Sequence, residues 1–496
     1  MESAEYKEIK SLSITHAPLP IEPIKEAVAV YFSWAMLSHR WDTKEPGLHD
    51  IQEKDVYTLD PVGTVVKLQM FCEVARDAGH RWAWSDTCCI DQKNNAELSR
   101  SVNSMFVWYH NSALTIVYLS DVPPSSKSGA LAKSAWNTRG WTVQEFLAPG
   151  VVIFYQADWT PYLGDCSPNH KKSATIMQEL ANSTGIDARS LLTFRPGMTD
   201  AREKLRWVSK RITTLAEDVA YSLFGIFGIH LHILYGETKE NALGRLLQEV
   251  IARSGDITAL DWVGKPSGFN SCLPADIAFY NAAPSTLPSL SESDMQASVS
   301  KLQSAVTAKS ASALYNDLDI LSAPRFAQNR LHLPCIAFRL TEVTRSADSE
   351  GQETSYTRYN VKAKGLRDLL ITTKDKLVEF SPAQPTQQKF VLVRPWNRYD
   401  FGLPDFADDA PRSKDDSSER RYPGDIEPVD SQLRESRLIV RLGQPFGALL
   451  LAQQRGGEYK RIASDRKIMA RVKGMTGDKD MTAVYSKMKI GTLEIL

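Results

Sequence analysis

Three short blocks of this chain hold side chains able to do chemistry. The first, Ser38-His39-Arg40-Trp41, leaves a compact apolar run. Its arginine suits a phosphate, its tryptophan a flat ring and its serine a hydroxyl. The same residues equally suit a loop whose tryptophan packs on the domain and whose arginine pairs with a carboxylate. The second, Trp84-Ser85-Asp86-Thr87-Cys88-Cys89-Ile90-Asp91-Gln92, puts Asp86 where it caps a loop or binds a ligand. Cys88 or Cys89 as a nucleophile, with His39 or His80 as base, is the weaker reading, because buried cysteines are usually inert. The third, Ser134-Ala135-Trp136-Asn137-Thr138-Arg139-Gly140-Trp141-Thr142-Val143-Gln144-Glu145, sets a carboxylate among tryptophans. Such surroundings partly desolvate an acid and raise its pKa. A Glu145–Arg139 ion pair on a structural helix is the competing account, and the residue types do not choose between them.

Other chemistries find no foothold. The chain lacks GxGxxG, GxxxxGK[ST], HExxH, GxSxG and a paired CxxC, so no dinucleotide fingerprint, P-loop or metal motif is expected. Adjacent Cys88 and Cys89 do not present spaced thiolates to zinc. No metal and no resident cofactor are expected.

The elements that must position these blocks alternate. Strands are expected at 34–38, 82–86, 114–119 and 151–155. A helix from about 63 carries Val65, Leu68, Cys72 and Ala75 on one face, with Gly79 as its stop. A second begins at Asn94, with Glu97 completing a capping box, and turns Leu98, Val102, Met105, Phe106 and Tyr109 inward. A helical turn covers 141–147. Strand and helix in alternation predict an α/β parallel sheet with helices on both faces, whose ligands collect at the carboxyl ends of the strands. There stand Ser38 to Trp41, Asp86 to Cys88, and Ser120-Asp121.

Residues 157–263 read as mainly helical, best at 201–212, 216–227 and 239–252. Arg211, Glu217 and Asp218 read as ion-paired helix residues, and His230 and His232 as satisfied core histidines. Periodicity lapses over 266–290, and 291–318 suits a Ser- and Ala-rich helix. Strands are expected at 331–340, 355–361, 389–394, 437–441 and 448–451, with a solvated mobile loop near 403–436. The domain plan is 1–29 as an extension, 30–160 and 161–263 as an α/β domain and its helical segment, 264–330 as linker and helix, and 331–496 as a β-rich domain.

Composition bounds the setting. The 496 residues are 43% apolar, and 59 basic and 59 acidic side chains cancel. A neutral balance disfavours nucleic acid or an anionic membrane as the partner. No run reaches the ~18–20 apolar residues of a membrane span, and the charged start lacks a secretory signal core. Six cysteines in this length do not make a disulfide scaffold, which points to a reducing, cytoplasmic compartment.

The blocks resemble the fungal heterokaryon-incompatibility (HET) domain. Its signatures stand here as Leu37-Ser38-His39-Arg40-Trp41, Trp84 to Gln92, and Arg139-Gly140-Trp141-Thr142-Val143-Gln144-Glu145, in the family's order and spacing. Met105-Phe106-Val107-Trp108-Tyr109, then Arg211-Ile212-Thr213-Thr214, Glu217 to Leu223 and Leu234-Tyr235-Gly236-Glu237, extend the likeness over about 30–262. The HET domain in turn resembles TIR domains, which implies a TIR-like (flavodoxin-like) sheet. Ser134-Ala135-Trp136 and Trp141 to Phe146 look like a stretched version of the TIR Ser-x-Trp-Cys-x-x-Glu block, with Asn137 in place of its cysteine. The resemblance implies Glu145 as catalytic residue of an NAD-cleaving effector in non-self recognition, growth arrest or cell death. Ser38, His39, Arg40, Trp41, Asp86, Arg139 and Trp141 would then contact substrate. It also implies self-association through this domain and an unidentified activating protein. The alternative is a non-catalytic, self-assembling signalling module.

Overall fold

The structure, a computed structural model, describes residues 28–284, 290–303, 308–346, 356–397, 428–473 and 488–496, together with Lys25. The chain divides into two compact units, one of residues up to 197 with 210–237 and one of 198–209 with 238–496.

In the first unit four described strands form a parallel sheet. They are β1 (Trp34–His39), β2 (Trp82–Trp84), β3 (Leu114–Tyr118) and β4 (Val152–Tyr155), in the order β2-β1-β3-β4. The central strands β1 and β3 are continuous apolar runs, as strands covered on both faces must be. One face, Ala35, Leu37, Leu114 and Ile116, buries Leu68, Phe71 and Ala75 of the helix Thr64–Asp77. That helix turns Lys67, Leu68, Phe71 and Ala75 inward, whereas Val65 and Cys72 of the expected stripe are only half-buried. Lys67 tolerates burial because its ammonium bonds Glu45 and Asp42.

Asn94 caps the helix Asn95–Asn111 as expected, its side chain accepting from the amides of Ala96 and Glu97. Glu97 reaches back to the amide of Asp91 instead of the cap residue. Tyr109 of this helix donates to the carbonyl of Leu37 at 2.8 Å, tying it to β1. β1 has β2 on one side and β3 on the other, so the connections leave it in opposite directions. A crevice opens at such a reversal, at the carboxyl ends of the strands.

Beyond the sheet, the stretch 216–227 is two short helices, Asp218–Tyr221 and Phe224–Phe227. Gly228, at φ 65°, ends the second in the left-handed conformation that glycine adopts without cost. The chain then runs on with alternate residues outward. His230 and His232 are exposed while Ile229 is buried, so neither is a core histidine.

The second unit begins with the helix Ala201–Val208 and continues with Lys239–Ser254, whose stripe Ala242, Leu243, Leu246, Leu247, Val250 and Ile251 is buried. Two helices, Glu292–Gln303 and Ala308–Asp319, fall where one was expected. Nine described strands follow: β5 (Arg325–Ala327), β6 (Arg330–Arg345), β7 (Thr357–Ala363), β8 (Leu369–Thr373), β9 (Phe390–Pro395), β10 (Phe446–Gln453), β11 (Tyr459–Ile462), β12 (Ile468–Ala470) and β13 (Lys489–Ile495). The pairings β6-β13-β11-β10-β9 return to β6 and close a ring. Ile336, Phe338 and Leu340 of β6 enter a core with Val361, Leu392 and Leu450.

The strand expected at 437–441 is instead the end of the helix Pro428–Leu442. Arg437-Leu438-Ile439-Val440-Arg441 is a short apolar run whose periodicity does not separate strand from helix. The same helix takes the last residues of the expected loop near 403–436, and the rest of that loop lies outside the described residues. Among the described residues no helix is long and apolar enough to cross a membrane.

One close approach tests the packing of the first unit. A Cβ at Gly225 would overlap Phe106 on the helix Asn95–Asn111, whereas one at exposed Gly150 would meet nothing. Gly225→Ala is expected to cost about 1–3 kcal/mol, read as a lowered Tm, with Gly150→Ala unchanged. Equal Tm values for the two variants would refute the packing.

Candidate functional site

Successive residues of a strand point to opposite faces, so the last two residues of β1 serve different groups. Ser38 Oγ donates to Glu145 Oε2 at 2.5 Å and accepts from Trp136 Nε1 at 2.8 Å. Ser38 and Glu145 are 1% and 3% exposed, so water does not compete for this bond. Glu145 lies on the short helix Thr142–Leu147, every residue of which is buried. Thr142 Oγ1 helps start that helix by bonding the carbonyls of Arg139 and Trp136. Trp136 meets Phe154 edge-on and Phe146 at a tilt, which fixes its indole beneath Ser38.

Burial pushes the Glu145 carboxyl up to about 7, against the pull of Arg139, with Asp86 adding repulsion and Ser38 and Arg211 opposing the rise. The Glu145–Arg139 ion pair of the competing account does not form. Arg139 donates instead to the carbonyl of His39, and its charge acts at longer range on Glu145, Asp86 and Asp218. Arg211 holds the same loop. It donates to Arg139 O at 3.0 Å, Thr142 Oγ1 at 2.9 Å and Asn137 Oδ1 at 3.1 Å, and lies over the Phe146 ring.

On the other face, His39 Nε2 stands 3.1 Å from Asp86 Oδ1, and Trp41 Nε1 donates to Asp86 Oδ2 at 2.8 Å. Burial alone would raise the Asp86 carboxyl, but His39, Arg139 and Trp41 hold it below the ordinary value. His39 Nδ1 is buried without a hydrogen-bond partner, 3.9 Å from Glu45 Oε1. Trp41 is 42% exposed and offers a ring face at the surface. Arg40 is exposed, and no ion pair to its side chain occurs among the described residues.

Trp141 turns away from both groups and donates to Asp218 Oδ2 at 3.1 Å. Burial raises the Asp218 carboxyl to about 6, against this bond. The structure thus joins Ser38 to Glu145 and joins His39, Trp41 and Asp86. It links the two sets through Arg139, and leaves Arg40 and Trp141 outside them.

Three contributors were not named as site residues from sequence: Trp136, Arg211 and Asp218. Arg211 and Asp218 were expected in helical ion pairs and form none, since Arg211 follows the end of the helix Ala201–Val208 and bonds no carboxylate. A signal existed, because neither residue has an opposite charge three or four positions away. The cysteine reading loses its base. His80 bonds Ser33 and His39 faces Asp86, so neither histidine meets Cys88 or Cys89 as a nucleophile's partner must. Among the described residues no three His, Cys, Asp or Glu side chains converge to hold a metal.

Residues 34–133 match the family described as heterokaryon incompatibility protein (HET). The chain is also similar to the vegetative incompatibility protein HET-E-1 of Podospora anserina, with 35% identity over 225 residues. That alignment spans 44% of this chain and 16% of the relative, so the chain covers a small part of that protein's length. No solved structure matches the chain. The likeness to the HET family is thus carried by residues 34–133. The matched range includes Ser38, His39, Arg40, Trp41 and Asp86 and stops before Arg139, Trp141 and Glu145.

The raised Glu145 has a stability signature. The fold binds its proton more tightly than the unfolded chain does, so this stabilisation is complete below about 4.5 and is lost as pH rises through about 7. Glu145→Gln, which needs no proton, is expected to exceed the wild type in denaturant resistance at about pH 8 by on the order of 2–3 kcal/mol. The gap should close near pH 5. A gap independent of pH would show that Glu145 is not desolvated as described.

Proposed function

We propose that this chain is a TIR-like effector of fungal heterokaryon incompatibility that cleaves the nicotinamide–ribose bond of NAD in the cytoplasm. The observation that carries the reading is the Ser38–Glu145 bond at the carboxyl end of β1. The strand order β2-β1-β3-β4 supports it, being the start of a flavodoxin-like order with its crevice at β1 and β3.

The chemistry asks little of the protein. Nicotinamide is a cationic leaving group, so no acid has to protonate it, and the sugar passes through an oxocarbenium-like state as in other glycosidic cleavages. One carboxylate that binds ribose hydroxyls and faces the developing positive charge then suffices. Ser38 already presents a hydroxyl to Glu145 Oε2. A ribose hydroxyl would replace it as the donor. Arg40, exposed, is free to take phosphate, and Trp41 offers a ring face for a base. Water would complete the reaction to ADP-ribose, or an internal nucleophile would give a cyclic product.

Glu145 is sealed at 3% exposure, so a substrate reaches it only when the surrounding wall opens. Self-association, or an activating protein, would supply that opening. A specific observation also favours the non-catalytic reading. Phe32 stacks on Trp82 of the edge strand β2 and both are about half exposed, as a surface used purely for assembly would be.

Nicotinamide release from NAD, followed by chromatography at low and high protein concentration, separates the two. The wild type is expected to release nicotinamide, with release favoured at high concentration, and Glu145→Gln to lose at least about 100-fold. Because the carboxylate is the working form, the rate should rise about tenfold per pH unit below 7 and level off above it. No release from folded protein at any concentration, with Glu145→Gln silent in cells, would favour the assembly module. Equal release by both proteins would make Glu145 structural.

A further inference from the structure

Glu217 and Asp218, at the start of the helix Asp218–Tyr221, are adjacent carboxylates only 7% and 8% exposed. Among the described residues neither meets a basic side chain in an ion pair. Glu217 Oε1 accepts from the Gly236 amide at 2.9 Å. Asp218 Oδ2 accepts from Trp141 Nε1 at 3.1 Å, while Asp218 Oδ1 is buried with no hydrogen-bond partner. Two half-buried rings border the pair. One is Trp141. The other is Tyr235, set edge-on to Tyr221 at 5.8 Å, whose hydroxyl is pushed up by burial and by the charges of Asp218, Tyr221 and Glu217. Three exposed aliphatic side chains stand around them. Ile212 bonds the Gly140 amide beside Trp141, Leu215 lies two residues before Glu217, and Leu234 adjoins Tyr235.

We infer that Glu217 and Asp218 form a docking site for an arginine of a partner protein, presented between apolar side chains. Two carboxylates taken out of water without a counter-charge are costly, and a guanidinium supplies both the charge and the donors. Its planar fork can give one N–H to the orphaned Asp218 Oδ1 and another toward Glu217. Its face suits an indole or phenol ring better than a hydrated ammonium does. The aliphatic rim would take the partner's flanking side chains and keep water from the ion pair, as the surround of a buried interface anchor does. A bare metal ion is a poorer occupant, since no three ligating side chains converge among the described residues.

The position of the site bears on the rest of the unit. Trp141 immediately precedes the helix Thr142–Leu147 that carries Glu145, and Arg139 acts at long range on both Asp218 and Glu145. A partner seated here would touch the residue that leads into that helix. The inference does not depend on NAD cleavage, because its test reads binding alone.

Calorimetric titration of the full chain with the blocked tripeptide Leu-Arg-Leu tests it. Saturable binding at about 1 mM or tighter is expected. The same peptide with citrulline, which is neutral and of the same shape, should bind at least ~10-fold more weakly, and the lysine peptide should fall between. Asp218→Asn and Glu217→Gln keep acceptors for Trp141 and Gly236, so both should fold, checked by Tm, and each should weaken arginine binding at least ~10-fold. Asp77→Asn removes an exposed carboxylate elsewhere and should leave binding unchanged. No saturable binding, equal binding of the arginine and citrulline peptides, or an equal loss in Asp77→Asn would overturn the inference. A wild-type dimer that Asp218→Asn dissociates would give the site to a second copy and overturn the assignment to a partner protein.

Discussion

Glu145 carries a carboxylate to a place that water does not reach, and the architecture of residues 28–237 is shaped by having to keep it there. An ionised carboxylate loses several kcal/mol of hydration on burial unless charge or hydrogen bonds replace the water. One oxygen takes the Ser38 hydroxyl. Arg139 and Arg211 supply positive charge without touching it. The balance is incomplete, so the acid sits near 7 instead of being locked in its ionised form. A salt-bridged carboxylate would be spent, whereas one that is desolvated and incompletely neutralised retains affinity for a proton, a hydroxyl or a cation.

The alternation of β1 makes one strand end serve two purposes. Ser38 turns toward Trp136 and Glu145, while His39 turns toward Asp86 and Glu45. Between them runs the backbone, and Arg139 grips it at the His39 carbonyl. The two carboxylates respond oppositely to being close together. Asp86, with His39 and Trp41 as direct partners, is held low. Glu145, with one neutral donor, is held high. Splitting a carboxylate pair by environment in this way fixes which member accepts a proton first.

The chemistry-bearing blocks and the strands that present them were legible in sequence, because β1, β3 and β4 are dense apolar runs and Asn94 caps the way cap residues do. Glu145 among tryptophans was legible as a desolvation problem, but not its outcome. Whether Arg139 would neutralise it depended on a backbone carbonyl one hundred residues away in the chain. Arg437 to Arg441 was misread because five residues hold less than two helical turns. His230 and His232 were misread because an apolar neighbourhood in sequence does not say which way alternate side chains point. Arg211 and Asp218 lacked local counter-charges, which marks side chains whose partners are distant.

The extent of the family match and the extent of the site differ, and the difference has a physical basis. Residues 34–133 hold β1 to β3 and the His39–Asp86 side, but the Glu145 side, Ser38 apart, is assembled from residues 134–218. Ile212 donates to Thr138 O, Gly140 donates to Ile212 O, and Arg211 bonds Arg139, Asn137 and Thr142. Gly140 has no room for a side chain, because Thr213 already lies where its Cβ would go. A short helix such as Thr142–Leu147 has too few internal hydrogen bonds to hold itself. It is fixed by residues 211–218, which lie almost seventy positions later, and these belong to the same compact unit. The unit able to present a buried carboxylate at the end of β1 therefore extends to about residue 237, well past the matched range.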